Sequence, residues 1–336
     1  MAKFELGLSQ LKLHTKDLSG VSVLVTGGAG FIGSHLSAYL VQNGAKKVVV
    51  LDDLSTGFEK NIEPLKSAKN FSFIKGSITD YKTCVNACKE IDIILHHAAL
   101  GSVPRSIENP IRTNEVNVSG FVNILFAAKE CGIKKFIYAS SSSVYGDDET
   151  TPKIEIKTGN LLSPYAVSKH TNEKYAAVFS SLYNLPTIGF RYFNVFGERQ
   201  NPEGAYAAVI PKFISSLLQN KQANIYGTGN NTRDFTYVAN VVKANLLCIE
   251  KENLPIQSVM NIACGGTISV NQIYKSIAGQ LGETDAKAAH LPERPGEIKN
   301  SYANIDLAKK ILGYEPAIST QDGLIQTVNW FKREIE

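Results

Sequence analysis

Metal binding and disulfide chemistry find few footholds in this sequence. Its five cysteines, Cys84, Cys88, Cys131, Cys248 and Cys264, include no CxxC pair. An odd, scattered set suits a reducing compartment and core thiols. Cys84 and Cys88 would share a helix face, but no clustered His or Cys completes a zinc site, so no metal is expected. No apolar run approaches the length of a bilayer span, and the N-terminus carries no signal-peptide pattern. Charge of one sign is lacking too: 35 Lys and Arg mix with 31 Asp and Glu, for a net +4. Without a basic block, that balance serves solubility and leaves no nucleic-acid footprint. A cytoplasmic protein that binds neither nucleic acid nor membrane is expected.

What is present suffices for a large core. At 336 residues and 43% hydrophobic, the chain can form one large domain or two intimate ones. Residues 1–20, with Phe4, Leu8 and Leu11 spaced for one helix face, predict an appended N-terminal helix. From residue 21 apolar runs alternate with helical patterns. "VSVLVTGG", "KKVVVLDD", "FSFIKGS", "DIILHHAA", "KKFIYAS" and "TIGFRYFNVFG" read as strands. Long helices are predicted from about Asn109 to Cys131 and from Ser163 to Tyr183. Continuous apolar strands between helices imply an α/β fold, a Rossmann-type doubly wound parallel sheet over residues 21–194. After Asn194 the rhythm loosens into Gly-, Pro- and Asn-rich loops. Residues 195–336 therefore read as a smaller α/β substrate-binding domain at the C-terminal edge of the sheet, with room for segments that return to it.

"VTGGAGFIG" sets Gly27, Gly30 and Gly33 between the first strand and the first helix. Glycines there permit the tight turn and let a pyrophosphate approach free N–H groups at the helix N-terminus. Asp52 follows roughly twenty residues on, at the end of the second strand, where a carboxylate accepts from an adenosine ribose and repels a 2′-phosphate. That pattern points to NAD rather than NADP. In "SPYAVSK", Ser163 can cap a helix with Pro164 in its first turn, which puts Tyr165 and Lys169 one turn apart on one face. A phenol with a pKa of about 10 becomes a base near neutrality only with roughly 4 kcal/mol of help from neighbouring cations. Alone the Tyr–Lys spacing is common; behind a dinucleotide fingerprint it points to catalysis.

With "TGGAGFIG", "SSSSVYG", "YAVSK" and "RYFNVFG" on the page, the chain resembles the extended short-chain dehydrogenase/reductase superfamily over nearly all of its length after residue 20. "HHAALGSVPRSIENP" and "GAYAAVIPKF" resemble its bacterial UDP-N-acetylglucosamine 4-epimerase branch. The resemblance implies Tyr165 as base, Lys169 as holder of the ribose and tuner of the tyrosine, and Ser141 as the group that hydrogen-bonds the reacting hydroxyl. It implies a cofactor site that adds Phe31, Ile32, Asp53, Ser55, Thr56, Gly57, Ser77, Ile78, Ala98, Ala99, Leu100 and Phe193. It implies a nucleotide-sugar site of Ser102, Ser142, Ser143, Asn194, Ala208, Val209, Asn224, Tyr226, Arg233, Arg294 and Ser301. Tyr226 offers a face to uracil, and the two arginines can meet a diphosphate.

Two departures sharpen the expectation. The superfamily's dehydratases resemble "TDEVYG" where this chain has Ser142 and Ser143, so elimination of water lacks its acid and base here. Ser77 stands where an acidic residue usually meets adenine. The implied reaction is reversible C4 epimerisation of a UDP-N-acetylhexosamine through a 4-keto sugar, supplying surface-polysaccharide precursors, with NAD bound throughout. A UDP-uronate or UDP-hexose 4-epimerase, and a non-catalytic NAD-binding regulator, are the alternatives. By the same resemblance the two long helices pair across a two-fold axis in a homodimer, unless the N-terminal helix covers that surface.

Overall fold

The computed structural model describes residues 11–203, 207–293 and 299–335. Six strands, β1 (Ser22–Thr26), β2 (Lys47–Asp52), β3 (Phe71–Lys75), β4 (Ile93–His96), β5 (Lys135–Ser141) and β6 (Thr187–Tyr192), form the sheet with β7 (Gln257–Ile262). The order is β3-β2-β1-β4-β5-β6-β7, and every neighbouring pair is parallel. Alternation along β1 sends Val23 and Val25 to one face and Leu24 to the other, where two separate apolar cores cover the sheet. The predicted doubly wound sheet is thus observed, and its last strand returns from the C-terminal half.

Helix α1 (Phe31–Gln42) follows β1, and α2 (Tyr81–Ala87) follows β3. A short α3 (Val103–Glu108) leads into α4 (Pro110–Asn114), a π-helical turn at Glu115–Ser119, and α5 (Gly120–Glu130). The helix expected from Asn109 to Cys131 is therefore present with Asn109 as its cap, but one turn is widened. Helix α6 (Pro164–Tyr183) begins as expected, with the Ser163 side chain accepting from the Ala166 amide. Beyond β6, α7 (Val209–Leu218) and short strands outside the sheet belong to the smaller lobe, while α8 (Val238–Glu250) packs against α1 and the sheet.

From Leu11 onward the N-terminal expectation needs correction. Phe4 and Leu8 lie outside the described residues, and Leu11 to Gly20 contain no helix. This segment is an irregular strap. The Tyr39 hydroxyl accepts from the Leu13 amide at 2.8 Å and meets His14 Nδ1 at 2.6 Å, while Glu250 accepts from Thr15 and Lys16. Side-chain and carboxylate partners satisfy its backbone, so a helix is not required.

The turn between β1 and α1 depends on glycine. Gly27 has φ +69°, and a Cβ on Gly33 would sit 2.1 Å from the Gly27 carbonyl oxygen. No side chain caps α1, which leaves its first amides pointing outward. Gly33→Ala should therefore push β1 and α1 apart. We expect a lower melting temperature and protein purified without nucleotide, read from the 260 nm absorbance released on denaturation; wild-type nucleotide content would show that the turn tolerates the methyl.

Candidate active site

The C-terminal ends of the strands open into a cleft of about 930 Å³. Its cofactor half is lined by Gly27, Gly30, Phe31, Ile32, Gly33, Asp52, Asp53, Ser55, Thr56, Gly57, Ile78, Ala98, Ala99 and Leu100. The Asp52 carboxylate accepts from the Ala29 amide at 3.0 Å and the Leu54 amide at 2.8 Å. One oxygen thus braces the glycine turn and the other the loop after β2. Each oxygen keeps a lone pair for a ribose hydroxyl. Burial raises the Asp52 pKa, and these backbone bonds work against the shift. The open helix N-terminus, the close approach at Gly33 and the Asp52 carboxylate together fit a dinucleotide.

Two sequence-derived cofactor residues do not line the cleft. Ser77 lies between the lining residues Gly76 and Ile78, and its hydroxyl accepts from Thr79 instead. Phe193 is fully buried, with its ring 5.9 Å from that of Tyr145. Tyr192 and Asn194 line the cleft on either side of it. Residue alternation turns Phe193 into the core.

At the other end Ser141, Tyr165 and Lys169 converge on the cleft. Burial raises the pKa of the Tyr165 phenol, and its hydrogen bond with Ser141 works against that shift. Lys169 Nζ donates to the Ala139 carbonyl at 2.8 Å and lies 5.9 Å from the Tyr165 ring centre. Burial pushes the lysine down to about 8. The phenol is therefore held neutral until more positive charge arrives, and the lysine is poised near neutrality.

The four-serine run divides by position. Ser140 and Ser141 end β5, and Ser142 to Tyr145 form a 3₁₀ turn. Ser142 faces the cleft, but Ser143, expected to touch substrate, does not line it. The turn swings Ser143 behind Ser141, where its amide and hydroxyl donate to Ser141 Oγ at 3.1 and 3.0 Å.

Of the expected nucleotide-sugar residues, Ser102, Asn194 and Ala208 also line the cleft. Val209 starts α7 next to Ala208. Asn224, Tyr226, Arg233 and Ser301 sit outside the lining, on short strands of the smaller lobe. Asn224 and Tyr226 pair with residues 289–291, and Ser301 lies beside Arg233 in a parallel ladder. Short strands set apart from the main sheet carry these side chains, so they are not part of the cleft wall. Arg294 lies outside the described residues.

Other cleft features were not legible. Asn117, buried in the π-helical turn, accepts from the Leu100 amide at 2.8 Å and donates to the Leu100 carbonyl and to Ser168 Oγ. It thereby fixes a cofactor-side loop against α6. His97 lines the cleft as a neutral imidazole, its pKa driven by burial to about 3, with Nε2 3.0 Å from the Tyr192 hydroxyl. Ser106 Oγ accepts from the Tyr165 amide at 3.0 Å. An apolar spacing at Asn117 broken by one polar residue was the only available signal.

The model of the NAD dependent epimerase/dehydratase family matches residues 23–263. A solved UDP-N-acetylglucosamine 4-epimerase from Methanobrevibacter ruminantium, in complex with UDP-N-acetylmuramic acid, is 38% identical with TM-score 0.88, covering 94% of this chain and 99% of that one. A UDP-glucuronic acid 4-epimerase from Bacillus cereus, solved with UDP-glucuronic acid and NAD, is 32% identical with TM-score 0.86, covering 94% and 100%. The UDP-glucose 4-epimerase of Mycolicibacterium smegmatis is 35% identical over 315 residues, 93% of this chain and 98% of its own. Full-length likeness of this kind, over a cleft shaped for a dinucleotide, places the chain in the NAD dependent epimerase/dehydratase family, among its NAD-using UDP-sugar 4-epimerases.

Proposed function

We propose that this chain interconverts UDP-N-acetylglucosamine and UDP-N-acetylgalactosamine, in the cytoplasm, as a supplier of surface-polysaccharide precursors. The observation that carries the C4 chemistry is the convergence of Ser141, Tyr165 and Lys169 at the end of β5 and the start of α6. NAD, held by the glycine turn, Asp52 and Lys169, would supply the hydride-transfer chemistry at C4. Ser141 Oγ, held from behind by Ser143, orients the C4 hydroxyl. Tyr165, ionised once positive charge adjoins it, takes the proton from the C4 hydroxyl and gives it back to the C4 oxygen after the 4-keto sugar has turned its other face to the cofactor. Lys169 stabilises the phenolate and offers its remaining N–H groups to a ribose. Ser142 and Ser143 carry no carboxyl to drive elimination, which supports epimerisation over dehydration.

A uronate substrate is favoured by one observation. Arg105 lines the cleft, and among the described residues its guanidinium makes no hydrogen bond or ion pair, leaving it free for a carboxylate. Offering the purified protein UDP-N-acetylglucosamine, UDP-glucose and UDP-glucuronate without added NAD separates these readings by their products. Turnover of none of them would sink both.

Tyr165→Phe keeps the ring and deletes the proton acceptor. Turnover should fall by about two to four orders of magnitude with bound NAD unchanged; near-normal turnover would assign the base elsewhere. The role of Ser301 at the sugar's C2 substituent rests on the family resemblance, since Ser301 and its neighbour Arg233 lie outside the cleft lining. Ser301→Tyr should cut turnover of UDP-N-acetylglucosamine about 10- to 100-fold while sparing UDP-glucose, because an added ring overpacks the acetamide's space. Equal losses on both would mean general damage.

The homodimer reading draws support from apolar side chains left in solvent: Ile111 on α4 is 83% exposed, and Leu182 on α6 is 68% exposed. Sedimentation at micromolar concentration should give twice the chain mass. A monomer would overturn this assembly.

A further inference from the structure

One turn beyond Lys169 on the same face of α6 is Glu173. Its carboxylate is buried and fully engaged. Ser140 Oγ donates to Oε1 at 2.6 Å, Arg191 Nε donates to Oε1 at 2.9 Å, and Arg191 Nη2 donates to Oε2 at 2.8 Å. Arg191 is in turn held by the Glu155 carbonyl at 3.0 Å and lies 4.8 Å from the Tyr145 ring. The residues that reach this carboxylate belong to or adjoin the cleft: Ser140 lines it beside Ser141, and Arg191 precedes Tyr192. One side chain on α6 therefore ties down the ends of β5 and β6.

The same carboxylate is the negative charge that acts on Lys169. Burial drives the lysine's pKa down, and Glu173 opposes that shift. The other titratable groups around it offer no anion. On β4, burial holds His96 and His97 neutral. On β5, Tyr138 faces Glu173 and Arg191 as a neutral phenol, its pKa raised by burial. On α6, Tyr165 is a phenol raised in the same way, and burial lowers the pKa of His170. On β6, Arg191 is a second cation.

We propose that Glu173 is a positioning residue for the epimerase reaction: it supplies the counter-charge that keeps Lys169 protonated and clamps β5 and β6 onto α6, so that Ser141 and Tyr165 keep their facing. This rests on reading Tyr165 as the base and Lys169 as its charged partner. On that reading protonated Lys169 is required for turnover, so loss of its proton sets the alkaline limb of the kcat–pH profile. Removing the counter-charge lets the lysine lose its proton earlier, and the limb moves to lower pH.

The test is the pH dependence of kcat in the NAD-loaded enzyme. Glu173→Gln removes the charge, and the limb should fall by roughly one pH unit with KM within about twofold of wild type. Because that variant leaves Arg191 buried without its partner, Glu173→Gln/Arg191→Met is measured beside it; it removes both charges and keeps an apolar filling. Because the double variant removes a cation together with the anion, its limb should return toward the wild-type position, which supports the inference. A limb displaced equally in the single and double variants would show a structural role only and overturn it. Ser140→Ala removes one donor but no charge, so kcat should drop while the limb stays in place; a displaced limb in Ser140→Ala would also count against the charge assignment. Tyr165→Phe separates the two levels. If it turns over normally, the base assignment itself has failed. If it is inactive and Glu173→Gln keeps a wild-type limb, the positioning role alone is lost.

Discussion

Much of this active site hangs on a charge that cannot easily leave its partners. Glu173 and Arg191 are buried together with two hydrogen bonds between them. Such a pair adds little over well-packed apolar side chains, but stranding one member costs about 3–5 kcal/mol. Ser140 on the same carboxylate brings in a third element. The strand with the reacting serine, the strand that leads to Asn194, and the helix with the tyrosine are thus held in one relative placement. Around that tie the remaining contacts act as trim. Ser143 sets the Ser141 hydroxyl, Ser106 takes the Tyr165 amide, and Asn117 fastens the Leu100 loop to the same helix.

What the sequence revealed was chemistry written in local spacing. The turn from Gly27 to Gly33, the carboxylate at Asp52, and the Ser163–Pro164 start that aims Tyr165 and Lys169 each depend on residues within a few positions or one βαβ unit. Strand parity was also available in principle: the turn-and-turn-about of Tyr192, Phe193 and Asn194 tells which of the three faces the core. Family likeness pointed at Phe193, and alternation in the structure turned it away.

Other features were hidden because their causes are distant in sequence. Nothing near Asn117 announces a π-helical turn, whose purpose appears only when Leu100 and Ser168 are brought to it. Glu173 looks like an ordinary surface acid of a helix until Arg191 and Ser140 arrive from two strands. The smaller lobe is harder still. Arg233 and Ser301 become neighbours through a two-residue ladder, a length too short for any periodic signal. The strap from Leu11 to Gly20 likewise depends on Tyr39 and Glu250, partners that the spacing of Phe4, Leu8 and Leu11 could not announce.

Strand β7 has a further implication. It is an edge strand, parallel to β6 along Thr187–Tyr192, yet α7, α8 and several short strands separate it from β6 in the chain. During synthesis, β6 therefore emerges with a bare hydrogen-bonding edge. That edge belongs to the strand carrying Arg191, the partner of Glu173. Closure must await a segment far along the polypeptide, a non-local pairing of the kind that forms late. A growing chain halted before β7 would present its own unfinished sheet to other chains, and the catalytic half of the molecule acquires its final shape only as its last third leaves the ribosome.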